Sequence, residues 1–372
     1  MNRIIINSEA IGKNYRTVKR WVNEHGATLT VVTKALCGHP GAIESLAEMG
    51  VSSIADSRLQ NLKDIKEKKL DFEKWFLRPP SQSQLEDVVA LTDVSLNTEL
   101  GTVKKLDRIA KERNTVHKVL LMIELGDLRE GILPGGLVKL YNEIFHLENI
   151  DIMGIGANLG CFSGTVPSVD QLMQLILYRE LLELKFQHKL SLISAGSSVL
   201  LPFLLEGRVP PAINHFRVGE AILLGTDLIN GGTIYGLRDD AFILEAEIIE
   251  MKEKSLTPSG ETVDDLAPFP SQDEEEEEER TPGQRGYRAV VTVGALDTEV
   301  SGLRPVNEDY QIAGASSDVT VLNLGENPED LKTGDCVHFK MGYSTLVRLM
   351  NNSYTEKVMK ENLQRESGFR VE

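Results

Sequence analysis

The sequence predicts an α/β chain in which a closed (β/α)8 TIM barrel is followed by a C-terminal β domain. From residue 10 to about 235, short apolar or β-branched runs alternate with longer amphipathic stretches, the pattern of repeated βα units. Eight such runs occur, which is the number a closed barrel needs. Beyond residue 236, strand-like runs follow one another with no amphipathic stretch between them.

The eight runs lie at 29–33, 52–55, 75–77, 94–96, 118–124, 152–157, 190–194 and 214–218. Helical patterns separate them, among them 100–113 and 169–187, the latter with Leu172, Leu175, Ile176 and Leu182 on one side. An open doubly wound sheet is the other arrangement that this order allows. The later strands fall at 242–249, 287–293, 318–324 and 336–340. The expected domains are a barrel over 12–235 and a β domain over 236–372, which residues 1–11 join, with a flexible acidic loop near 264–286.

With 41% hydrophobic and 26% charged residues, the composition is that of a globular protein. The formal charge is −16, and the run 273–279 carries seven of the negative charges. The −9 that remains still argues against nucleic acid and anionic membrane as partners. The first residues lack an apolar core with a small-residue cleavage site, and no apolar run approaches bilayer length, so a cytoplasmic location is expected. Cys37, Cys161 and Cys336 are widely spaced and odd in number, which fits reduced thiols. No metal-ligand spacing occurs.

Lys34 ends the first strand, in Val32-Thr33-Lys34, and a lysine at the C-terminal end of a barrel strand points to the mouth where barrel enzymes work. A desolvated amine there can form a Schiff base. The loops after strands seven and eight read Ser194-Ala195-Gly196-Ser197-Ser198 and Arg217-Val218-Gly219-Glu220-Ala221. Small residues at these two places let backbone N–H groups and serine hydroxyls approach a phosphate.

Five stretches together resemble the fold-type III pyridoxal-phosphate enzymes of the alanine racemase kind, and are most similar to their ornithine racemase branch. They are Val32-Thr33-Lys34 with Cys37-Gly38, Ala55-Asp56-Ser57-Arg58 with Asn61-Leu62, the segment 125–131, the segment 217–225, and Gly314-Ala315-Ser316-Ser317-Asp318. The resemblance implies a pyridoxal 5'-phosphate racemase that works through an aldimine on Lys34 and Cα deprotonation. It further implies a homodimer with shared active sites. Arg217 is then set against the pyridine nitrogen, where a guanidinium that keeps its proton leaves the ring a limited electron sink. Asn158, Ser197, Ser198, Gly219, Glu220 and Tyr354 complete the expected cofactor contacts. Arg129 matches the arginine near the substrate carboxylate, and Asp318 an acidic residue given by the partner.

The departures from alanine racemase are specific. Asn158 stands where a histidine stacks on the cofactor, and Met122 where a lysine carbamate supports the arginine, leaving Asp127 or Glu130 to support Arg129. Ser317 stands where methionine is frequent, which makes room for a basic or medium-sized substrate such as ornithine or lysine. No tyrosine is present in 258–265 to serve the second face of the carbanion. Asp265 or Asp264, Cys37 and Cys161 are the candidates, with Asp265 and Cys161 preferred.

Two other readings compete. A non-catalytic pyridoxal-phosphate carrier would lack the β domain, and a decarboxylase of this fold type would carry a cysteine where Ser317 stands. The glutamate run should be dispensable, because consecutive like charges are better solvated than packed. Replacing residues 273–279 with a short Gly/Ser linker is expected to leave thermal stability and turnover nearly unchanged, and a large loss of turnover would show that this segment serves the site.

Overall fold

The computed structural model describes residues 2–257, 259 and 284–360, and the chain divides into two compact units. One consists of residues 11–238, the other of residues 1–10 with 239–372. Asp264, Asp265 and the glutamate run lie outside the described residues.

The chain opens with β1 (Arg3–Asn7) and passes into α1 (Ser8–Glu24). Asn7 ends the strand and starts the helix, its side-chain oxygen accepting from the Ala10 N–H at 3.2 Å. The barrel strands are β2 (Thr28–Val32), β3 (Ser53–Asp56), β4 (Glu73–Phe76), β5 (Val94–Asn97), β6 (His117–Met122), β7 (Ile150–Gly156), β8 (Leu192–Gly196) and β9 (His215–Val218). They pair in parallel in that order, and β9 closes on β2 with Thr28 opposite His215 and Val31 opposite Val218. Each overlaps a strand expected from the sequence. The closed barrel, not the open sheet, is the fold.

The connecting helices are α2 (Pro40–Glu48), α3 (Leu59–Glu67), α4 (Leu85–Leu91), α5 (Leu100–Glu112), α6 (Pro134–Ile144), α7 (Val169–Phe186), α8 (Leu201–Leu205) and α9 (Glu220–Leu224). A capping box starts α7: the Ser168 hydroxyl accepts from the Gln171 N–H at 3.2 Å while the Gln171 side chain accepts from the Ser168 N–H at 2.9 Å. No helix among the described residues is long and apolar enough to cross a membrane.

The inside of the barrel has two characters. Ala55, Trp75, Val94, Leu96, Leu120 and Met122, from β3 to β6, form one buried apolar cluster. Thr30, Ser194, His215 and Arg217, from β2, β8 and β9, are buried and polar. The two halves meet where Trp75 stacks on His215 with ring centroids 4.7 Å apart. Because β4 and β9 are separated by two strands, that stack is possible only inside the barrel.

The second unit is built on β10 (Phe242–Ser255), β11 (Arg285–Val291), β12 (Leu303–Pro305), β13 (Gln311–Ala315), β14 (Thr320–Asn323), β15 (Cys336–Met341) and β16 (Glu356–Lys360), and its described residues also include the helix α10 (Tyr343–Asn351). The sheet order is β12-β15-β10-β11-β14-β13, and β1 adds to it between β10 and β16. Sequence reading passed over β12, β13, β16 and α10. Of these, β12 and β13 are short, with three and five residues, and the apolar pattern of α10 follows directly on a strand.

Leu96 is fully buried in the apolar half of the barrel. Leu96→Ala is expected to lower stability by about 2 to 5 kcal/mol, from lost burial and the cavity left behind. The shift of the chemical denaturation midpoint measures it.

Candidate active site

Lys34 follows β2 by two residues and opens a short 3-10 turn, Lys34–Leu36, which closes at Cys37 in the left-handed region at φ 49°. The turn is held from the next strand. The Thr33 N–H donates to the Ala55 carbonyl at 2.8 Å, and its hydroxyl donates to Asp56 at 3.1 Å. Asp56 also accepts from the Arg58 N–H at 2.8 Å and from Asn61 at 3.2 Å. Burial raises the Asp56 carboxyl pKa, and these hydrogen bonds pull it back. A Cβ on Gly38, whose φ is +71°, would lie 3.0 Å from the Asn61 side-chain oxygen. The stretch Ala55-Asp56-Ser57-Arg58 with Asn61 therefore acts as the scaffold of the Lys34 turn.

At the ends of β8 and β9, the Ser198 hydroxyl accepts from the Ala221 N–H at 3.2 Å and so ties the two loops together. The Ser197 hydroxyl is buried without a hydrogen-bond partner among the described residues. Gly219 packs against β2, where an added Cβ would stand 3.1 Å from the Val32 carbonyl. A buried hydroxyl in need of a partner, beside backbone that leaves no room for a side chain, fits a phosphate. Glu220 opens α9, and desolvation raises its carboxyl to about 7, against the opposing pull of Thr226 and the Lys34 ammonium. Glu220 was expected among the cofactor contacts. Its carboxyl turns out to be within electrostatic reach of Lys34.

Arg217 is buried, and its guanidinium donates to the Ser194 carbonyl at 2.9 Å, the Ala157 carbonyl at 3.1 Å and the Asn158 side-chain oxygen at 3.2 Å, as well as to the Ser194 hydroxyl. All four acceptors are neutral. Burial, helped by the like charge of Arg129, lowers its pKa to about 10, so it stays charged at neutral pH. Asn158 turns its amide to the Glu130 carboxylate at 2.8 Å. Glu130 in turn grips both Nε and a terminal nitrogen of Arg129. The remaining terminal nitrogen of Arg129 donates to Cys161 Sγ at 2.9 Å. The Glu130 hydrogen bond, opposed by burial, raises the Arg129 pKa.

Of the two supports open to Arg129, Glu130 makes the contact. Asp127 serves another end: its carboxylate accepts from the Cys161 and Phe162 N–H groups, each at 2.9 Å, and holds the loop that carries Cys161. Met122 lies in the apolar cluster of the barrel.

Lys34, Arg129, Asn158, Cys161, Ser197, Ser198, Arg217, Gly219 and Glu220 all belong to the barrel unit, in the loops that follow its strands or at the strand ends. Ser317, Asp318 and Tyr354 belong to the other unit. The Ser317 hydroxyl donates to Asp318 at 3.0 Å in the turn between β13 and β14. Tyr354 is 90% exposed and so is not a core residue. Ser194 and His215 were not singled out from the sequence. The available signal was their place: each shares the inward parity of the residue two positions away on a strand, where a polar side chain has to find a partner.

Residues 6–227 match the family model described as the alanine racemase N-terminal domain. The chain belongs to the alanine racemase family. It is 36% identical to the ornithine racemase of Acetoanaerobium sticklandii over 357 residues, covering 95% of this chain and 98% of that protein. It is 32% identical to the lysine racemase of Thermotoga maritima over 363 residues, covering 97% and 99%. Among solved structures, the alanine racemase from a D-cycloserine-producing Streptomyces lavendulae matches with a TM-score of 0.73 at 15% identity, covering 98% of each chain. The alanine racemase of Bartonella henselae, solved with covalently bound pyridoxal phosphate, matches with a TM-score of 0.71 at 15% identity, covering 96% of this chain and 99% of that one. This family member is an amino-acid racemase, an isomerase.

The raised Glu220 pKa carries a sign. Below its usual value of 4.5 the carboxyl is protonated whether the chain is folded or not, and above about 7 it is ionised in both. Between those values the unfolded chain ionises first, so this group's contribution to stability falls as pH rises. Glu220→Gln is expected to gain thermal stability on the parent as pH goes from about 5 to about 8, and parallel melting curves would refute it.

Proposed function

We propose that this racemase interconverts the L and D forms of a basic amino acid, ornithine or lysine, with pyridoxal 5'-phosphate as cofactor on Lys34. The carrying observation is the buried Arg217 guanidinium, which has no carboxylate partner among the described residues and only neutral acceptors. A buried cation so held calls for an acceptor from a ligand, and the pyridine nitrogen is one. Ser197, Ser198 and the backbone at Gly219 and Glu220 would hold the phosphate, with Asn158 beside the ring. When bound, the cofactor withdraws electrons from the substrate Cα and acidifies its C–H bond.

This chain's own residues then divide the work. Lys34 holds the cofactor and moves the Cα proton on one face. Arg129 has five N–H donors, of which Glu130 and Cys161 take three. The two that remain, one on each terminal nitrogen, form an end-on fork for the substrate carboxylate. The Cys161 thiol, next to that fork, is the proposed proton donor on the second face, and Asp265 is the alternative. A homodimer would bring Ser317 and Asp318 of one subunit to the barrel of the other, where Asp318 suits the distal ammonium of a basic substrate. The near full-length identity to an ornithine racemase and a lysine racemase supports that substrate class.

Incubation with L-ornithine and L-lysine, followed by optical rotation, is expected to show loss of rotation without release of carbon dioxide. Lys34→Ala should abolish it together with the borohydride-trappable linkage, and a linkage persisting at another lysine would overturn the assignment. Arg129→Ala should lower kcat/KM by about one to two orders of magnitude with a raised KM, the loss expected for a charge-assisted contact. Unchanged kinetics would remove Arg129 from the substrate.

A further inference from the structure

A line of hydrogen bonds runs inside the barrel from its N-terminal end to Arg217, through side chains that the proposed chemistry leaves unused. Ser53 reaches the Glu73 carboxylate at 3.5 Å, the longest link. Thr30 and Ser53 join hydroxyl to hydroxyl at 2.8 Å, and Thr30 lies 2.9 Å from His215 Nε2. His215 Nδ1 lies 2.7 Å from the Ser194 hydroxyl, which accepts from Arg217. Glu73 is fixed in turn by the Trp75 indole N–H at 2.8 Å and by Lys118 at 3.2 Å. The same Trp75 stacks on the His215 ring.

The direction of every bond follows from the carboxylate end. A carboxylate only accepts, so Ser53 spends its single hydroxyl proton on Glu73. Thr30 must then donate to Ser53, which leaves Thr30 an acceptor toward His215. His215 is fully buried, and desolvation lowers its pKa to about 3, so the ring is neutral with one N–H. That N–H has to be on Nε2, which makes Nδ1 an acceptor. Ser194 therefore donates to Nδ1 and turns its lone pairs to Arg217. The opposite tautomer would put two donors, Nδ1–H and Arg217, on Ser194 and face Nε2 with the lone pairs of Thr30.

We propose that His215, locked as the Nε2–H tautomer by Thr30, Ser53 and Glu73, is a positioning residue that acts through Ser194 to fix the Arg217 guanidinium against the cofactor ring. The assignment of Arg217 to the ring rests on the proposed function. The tautomer does not. Among the described residues the charge that acts on His215 is that of Arg217, and it opposes protonation as burial does, so the ring is neutral at neutral pH.

The test uses the holoenzyme. Thr30→Val keeps the volume and removes the acceptor for Nε2–H, and is expected to shift the absorption maximum of the bound cofactor and lower kcat about tenfold, with KM within about twofold. Thr30→Ser should restore both. Nitrogen-15 spectra of histidine-labelled enzyme, with the His215 signals identified by their loss in His215→Gln, should show a protonated Nε2 and a bare Nδ1 from about pH 5 to about pH 9. A His215 that titrates in that range, or that carries its proton on Nδ1, overturns the proposal. So does a Thr30→Val enzyme that loses thermal stability but keeps the parent's spectrum and kcat. Failure of the cofactor assignment would look different: the parent itself would then show no cofactor band and no borohydride-trappable linkage.

Discussion

Arg217 is a permanent charge inside the barrel, and much of the mouth is arranged to satisfy it. An unpaired buried cation is costly, and a carboxylate partner would be the ordinary remedy. Here the guanidinium is met by the Ser194 and Ala157 carbonyls, the Ser194 hydroxyl and Asn158. The nearest carboxylate in that network, Glu130, stands one residue further out and is committed to Arg129 and Asn158. Cys161, Arg129, Glu130, Asn158 and Arg217 thus form one polar chain, and displacing any member strands the donor or acceptor next to it.

The second constraint is the closure of β9 on β2. Pairing Val31 with Val218 sets the exits of the first and last strands side by side, and so brings the Lys34 turn to the Gly219–Glu220 turn. That closeness is felt in the Glu220 carboxyl, on which the Lys34 ammonium acts. Thr33, Asp56 and Asn61 stiffen the turn from β3. In the proposed function the amine on this braced turn would have its phosphate cradle on the adjoining one and would need little rearrangement to work.

The interior of the barrel shows how one strand pattern supports both packing and chemistry. Beyond the layer of Ser53, Glu73 and Lys118 at the N-terminal end, the inward positions on β3 to β6 are apolar and fill the space with Trp75, Leu96 and Met122. Inward positions on β2, β8 and β9 are polar and link Thr30, Ser194, His215 and Arg217. Met122 belongs to the first set, and Arg129 takes its support from its sequence neighbour Glu130.

The order of apolar runs and helical stretches along the chain determined eight βα repeats, and the pairing of β9 with β2 decided for the closed barrel over the open sheet. Lys34 was singled out by its place at the end of a strand, at the face where barrel loops gather, and Arg129 and Arg217 by the resemblance to the alanine racemases. What only the tertiary structure decided is which side chains share a hydrogen bond. Glu130 and Asp127 were equal candidates in sequence, three residues apart, and the path of the loop gave one to Arg129 and the other to the backbone at Cys161. Glu73 and Arg217 are far apart in the chain and joined only because closure sets Thr30 between Ser53 and His215. Periodicity records which face a residue occupies, whereas its partner across the barrel depends on register and closure, which are long-range properties of the folded chain.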